Sequence, residues 1–181
     1  MATPEKVLGF WFSPQARPRW FVRSDAFDQS IREQFSELHA RAAAGGLDLW
    51  AGSPHGALAL ILLLDQVPRH VFRGTPGAFA TDAKAREIAR AAIDGGFDRD
   101  LTQEERLFMY LPLEHSESLA DQERCVELMR QLDENPEWLD YAVRHRDIVA
   151  RFGRFPHRNA ILERDNTEEE REFLMQPGSS F

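Results

Sequence analysis

The spacing of apolar residues along the chain is helical almost throughout. Between positions 25 and 43, Phe27, Ile31, Phe35 and Leu38 recur every three or four residues, the repeat that lines one face of an α-helix. Ser24 stands where an N-cap is needed, and Gly45-Gly46 where such a helix must end. The run "ALALILLL", Ala57–Leu64, has no polar face, which predicts a central buried helix opened by Ser53-Pro54. Pro68 should bend or end it, because proline lacks an N–H and collides with the carbonyl four residues back.

The same punctuation continues along the chain. Thr3-Pro4 opens a short helix through Phe12, and Thr81 caps "DAKAREIARAAID", closed by Gly95-Gly96. Thr102 with Glu105 forms a capping box before "RLFMYL", which Pro112 should interrupt. Ser118 opens "LADQERCVELMRQL". Asn135-Pro136 opens a helix to Phe152, with Gly153 as its left-handed terminator. Thr167 with Glu170 is a second capping box, and Pro177-Gly178 stops the last helix. No segment alternates with β-branched residues. The pattern predicts an all-α fold of about eight helices packed as antiparallel hairpins, in a single domain over residues 1–181.

Composition narrows the function classes. A chain that is 43% hydrophobic and 29% charged is globular. Its longest apolar run, Ala57–Leu64, is far too short to cross a bilayer, so no membrane partner is expected. "MATPEKVLGFWF" carries one lysine and neither a long apolar region nor a small-residue cleavage site, so no signal peptide is expected. The single cysteine, Cys125, excludes an internal disulfide and fits a cytoplasmic location. Cys125 itself reads as an inert core thiol.

A net charge of −8 argues against nucleic acid as a partner. The charge is uneven, however. From Arg144 to Arg158 five arginines accompany one acid, Asp147, whereas Glu163–Glu172 holds six acids and only Arg164 and Arg171. Adjacent segments of opposite sign should neutralise each other.

Three polar clusters interrupt the apolar pattern. In "LLLDQVPRHVFR", Asp65, Arg69 and Arg73 fall at i, i+4 and i+8, on one helical face if the helix survives Pro68. A carboxylate after eight apolar residues needs a partner, and Arg69 is the nearest; the pair is structural or functional. In "MYLPLEHSESLADQ", Glu114, His115 and Glu117 offer acid–base chemistry, but adjacent Glu114-His115 lacks the spacing of a metal-binding helix, and no metal is expected. In "RHRDIVARFGRFPHRNAIL", His145 shares a stripe with Trp138, Ala142, Val149 and Phe152 and so faces the core. His39, by contrast, reads as a solvated helix position. Beyond Gly153, Arg154, His157, Arg158 and Asn159 form a corner rich in donors, anchored by Phe152 and Phe155 and stiffened by Pro156.

Four strings, "VLGFWF", "LALILLLDQVPRHVFRGTPGAFATD", "LPLEHSESLADQ" and "RFGRFPHRN", make nearly the whole chain similar to the bacterial DUF924 family. The resemblance implies an all-α fold like the tetratricopeptide-type superhelices, and no established activity. The chain departs from the family's pattern in two places: "DQFPRN" is replaced by "DQVPRH", with Val67 and His70, and Glu163 stands where glycine is expected.

The residues therefore predict a pocket for a small anionic metabolite, without a cofactor. His115, His145, Glu114 and Asp65 would handle protons; Arg69, Arg73, Glu117, Arg154, His157, Arg158 and Asn159 would hold the ligand. The alternative is a scaffold whose helical surface binds a peptide partner.

Overall fold

Each start signal in the sequence finds a helix in the computed structural model, which describes residues 3–180. The α-helices are α1 (Pro4–Trp11), α2 (Asp25–Ala43), α3 (Pro54–Ile61), α4 (Val67–Val71), α5 (Asp82–Asp94), α6 (Gln103–Glu114), α7 (Leu119–Met129), α8 (Pro136–Phe152) and α9 (Glu168–Leu174). A turn of π-helix, Leu62–Gln66, joins α3 to α4 without a break, so the two form one rod. There is no strand among the described residues, and the chain is all-α. None of these helices is long and apolar enough to cross a membrane.

The chain divides into two compact units, one of residues 1–73 and 77–112, the other of residues 74–76 and 113–181. In the first, α3 is the centre. Every residue from Gly56 to Gln66 is buried, and α1 and α5 pack along α3 while α2 packs along α4. Gly56 lets the 3-10 turn Asp48–Gly52 lie against the start of α3, because a Cβ there would meet the Trp50 carbonyl oxygen at 2.1 Å.

Pro68 neither ends nor bends the rod out of helical conformation; it shifts the hydrogen-bond register. The Val67 N–H reaches back five residues to the Leu62 carbonyl, and Pro68 has no N–H to offer Leu63 or Leu64. Those carbonyls are satisfied from other helices. His39 Nδ1 donates to Leu63 O at 2.9 Å, and Thr81 Oγ1 donates to Leu64 O at 2.5 Å. His39 is thus buried, not solvated, because an unpaired carbonyl in the core draws a donor inward. For the same reason Thr81 spends its hydroxyl on α3's continuation and makes no side-chain cap for α5.

In the second unit α7 packs against α8, and the 3-10 turn Pro156–Arg158 packs against α9. Pro112 does not interrupt α6, which continues to Glu114; so near the C-terminus a proline removes little of the helical ladder. Gly153, at φ +69°, ends α8 as expected. Ile148, Val149 and the fully buried Phe155 form a small apolar core, with Phe152 and Phe173 against it.

Candidate functional site

The clusters fall in different units, and each is built on its own terms. In the first unit Asp65 is fully buried within the π turn. Gln66 Nε2 donates to its Oδ2 at 2.6 Å, and Arg69 Nη1 lies 3.3 Å from its Oδ1. The Arg69 guanidinium also makes paired bonds to Asp82, at 2.9 and 3.0 Å. Arg73 grips Asp28 in the same forked way, at 2.8 and 2.9 Å, and His70 Nδ1 donates to Asp28 at 2.7 Å. Burial alone would raise the Asp28 pKa, but Arg73 and His70 outweigh it and hold the carboxyl below its usual range. Arg69 and Arg73 are therefore engaged by protein carboxylates, as a structural Asp–Arg network would have them.

In the second unit, part of the arginine-rich corner is braced in the same manner. Arg154 clamps Glu170 through two bonds, at 2.7 and 2.8 Å, and donates to the Asp165 carbonyl. Bonding to Arg154 pushes the Glu170 carboxyl down to about 2. Arg151 pairs with Glu169, so the basic and acidic segments do neutralise each other. Glu117 accepts two bonds from Arg164, at 2.8 and 2.9 Å, and one from the Phe155 N–H at 2.8 Å. Asn159 is fully buried, donating to Asn166 at 2.7 Å and accepting from Arg164 at 2.9 Å. These side chains fix the backbone on either side of Phe155.

What they fix is a group of imidazoles around one aromatic ring. The His145 ring meets Phe155 edge-on with centroids 5.5 Å apart, and His157 lies 5.5 Å from the same ring. The Arg158 guanidinium stacks 4.6 Å over the Phe155 face. His145 Nδ1 donates to the Tyr141 carbonyl at 2.8 Å, so in the neutral ring Nε2 carries the lone pair. The same Nδ1 is 3.4 Å from the buried Glu114 carboxyl, which closes α6. Burial pushes the His145 pKa down to about 3, with His115, His157 and Arg158 adding to the effect. Burial and the charge of Arg158 push His157 down to about 4. His115 adds electrostatically to the lowering of both rings.

The family described as "Bacterial protein of unknown function (DUF924)" matches residues 7–178. The chain belongs to the DUF924 family. A solved structure of a protein of unknown function from Agrobacterium tumefaciens is similar to it, with 43% identity, a TM-score of 0.90, and 95% of this chain and 96% of that one covered. No curated protein matches.

Among the residues predicted from sequence, this DUF924 protein thus gathers Glu114, His115, His145, His157 and Arg158, with Glu117 at the edge. Arg154 and Asn159 support the corner from behind, and Asp65, Arg69 and Arg73 belong to the other unit. Among the described residues no three His, Cys, Asp or Glu side chains are grouped to hold a metal ion. Sequence reasoning missed Arg164, which clamps Glu117, and Gln122, which is fully buried under the turn that carries Glu114 and His115. Gln122 Nε2 donates to the Glu114 carbonyl at 2.5 Å and the Ser116 carbonyl at 2.7 Å. It closes the string "LPLEHSESLADQ", and a buried polar residue three positions before Cys125 on α7 was the available signal.

Proposed function

We propose that this DUF924 protein binds a small anionic metabolite at the histidine group around Phe155 and transfers a proton to or from it. The observation that carries the reading is the gathering of His145, His157 and Arg158 on the one buried Phe155 ring, with both imidazoles kept neutral. A cationic guanidinium beside neutral imidazoles gives hydrogen-bond donors and a positive field. In this scheme Arg158 and His157 hold the anion, and His145, with its Nδ1–H fixed on Tyr141, presents Nε2 as the proton acceptor. Glu114 lies beside His145 and would stabilise its protonated form.

Ligand charge couples to protonation. An anion bound next to His145 and His157 favours their charged forms and raises their pKa values toward neutrality. Binding should therefore take up protons.

Isothermal titration calorimetry with inorganic phosphate and with acetate, in two buffers of different ionisation enthalpy, tests this. The expected result is binding accompanied by proton uptake, weakened at least about tenfold, or about 1.4 kcal/mol, in Arg158→Gln. Absence of binding by either anion, or equal affinity in Arg158→Gln and His157→Gln, would overturn it.

A further inference from the structure

One buried acceptor in the second unit is left over. Gln122 is fully buried and its Oε1 has no hydrogen-bond partner. The orientation of the amide is not open, because Nε2 faces three carbonyls, those of Leu113, Glu114 and Ser116. Turning the amide over would set oxygen against oxygen three times. Oε1 is therefore the acceptor. An unsatisfied acceptor in the interior is costly and rare.

Its position is defined by its neighbours. The amide packs on the α6 end that carries Glu114 and His115. One turn along α7, Cys125 Sγ is 4.0 Å from Glu114 Oε2, and Glu114 Oε1 is 3.4 Å from His145 Nδ1. The amide that carries the orphan oxygen is thus anchored on the backbone of Glu114, the carboxylate beside His145. Anion-binding chemistry does not use it, since an anion brings acceptors, not donors.

We infer that the ligand of this site is a small acid that also carries a hydrogen-bond donor, an amine or hydroxyl near the anionic group, and that Gln122 Oε1 accepts from it. Amino acids and hydroxy acids have this chemistry. The inference rests on the proposed anion site and adds the second recognition point. It also makes Gln122 a discriminating residue: a site built around a buried acceptor rejects analogues that leave it unpaired.

Three probes separate the cases: acetate, with no donor; glycolate, with a hydroxyl; and glycine, with an ammonium. In titrations of the intact protein, glycolate or glycine should bind at least about tenfold more tightly than acetate, the cost of one unmade buried hydrogen bond. Which of the two wins identifies the donor. Gln122→Met should abolish the preference while acetate binding persists. Because Gln122 also caps three carbonyls, that variant risks unfolding. A crystal structure of the unmodified protein with the preferred probe then decides, with the donor atom seated on Gln122 Oε1. Equal binding of all three probes, a preference that survives in Gln122→Met, or a buried water alone on Oε1 would overturn the inference and leave the anion site standing. Failure of all three to bind would overturn the anion site itself.

Discussion

Glu163 stands in a backbone conformation suited to glycine, and replacing it should stabilise the protein. Its φ is +54°, the one positive value at a non-glycine among the described residues. The helical turn that follows Pro156 ends here: Leu162 N donates to Arg158 O at 2.9 Å, and Arg164 N reaches back five residues to Asn159 O at 2.8 Å. That last bond is the signature of a Schellman terminator, with Glu163 in the position glycine normally fills. For an L-residue with a Cβ the left-handed conformation costs about 1–2 kcal/mol. Glycine removes the cost, but its freer unfolded chain returns about 0.4–1 kcal/mol of the gain. The exposed Glu163 side chain makes no hydrogen bond or ion pair with the described residues, so little else is lost. Glu163→Gly should gain about 0.5–1 kcal/mol, equivalent to a Tm higher by about 1–4 °C in a chain of this size.

Urea denaturation at neutral pH measures it, as a higher midpoint with an unchanged slope. Glu163→Ala is the control, since it deletes the charge in an acidic segment and keeps the backbone cost. Its midpoint should stay near the wild type. If Ala stabilises as much as Gly, charge and not backbone strain is responsible. If Gly stabilises nothing, the terminator geometry is wrong. The gain has a structural address, because Glu163 delivers Arg164 to Glu117 and Asn159.

Thr81→Val should cost about 1–3 kcal/mol in urea denaturation, because the Leu64 carbonyl loses its donor in the core; an unchanged midpoint would show that Pro68's lost bond is compensated elsewhere. In NMR titrations the His145 imidazole should hold its neutral, Nδ1-protonated shifts from pH 8 to pH 5 and titrate near its pKa of about 3. The unfolded chain binds that proton near pH 6.5, so the stability is complete above that value and declines as pH falls toward 3; at pH 5 the loss is about 2 kcal/mol, and His145→Gln should flatten the slope. Glu170 acts with the same sign in a more acidic window: held at about 2 by Arg154, it stabilises above about pH 4.5 and progressively less below. The advantage of wild type over Glu170→Gln should therefore shrink between pH 5 and pH 2 in acid-unfolding curves, and a constant difference would refute the pairing.

Helix starts are legible because caps are local. Ser24, Ser53, Asn135 and Thr167 each accept a bond from a backbone N–H within three residues, so the sequence contains both partners. Thr81 shows where this ends. Its local cap competes with a carbonyl seventeen residues away, and burial makes the distant partner the stronger claim. His39 follows the same logic: its place in the sequence reads as solvated, and only the π register of the distant helix shows why a donor is wanted in the core there. The candidate site divides similarly. His145 could be assigned to the core from its stripe, and Phe155-Pro156 to a rigid exit. Arg164 with Glu117 could not be paired, since they are 47 positions apart and each sits among other charges.

The arginines of the corner part ways for one geometrical cause. Gly153 turns the chain out of α8 and Phe155 drops into the core, so Arg151 and Arg154 are left on the side of the acidic α9 segment. Pro156 then starts a 3-10 turn, which carries His157 and Arg158 onto the Phe155 ring, against which His145 also packs. A run of like charges is thereby sorted into two settings within five residues. Arg151 and Arg154 hold α9 in place through carboxylates, and their loss should register as stability. Arg158 stands with imidazoles that burial keeps neutral; under the proposed function its positive charge would act on the anion more strongly than in water, and its loss should register as affinity. Charge counting along the chain treats the two sets as equivalent; the turn between them is what makes them different.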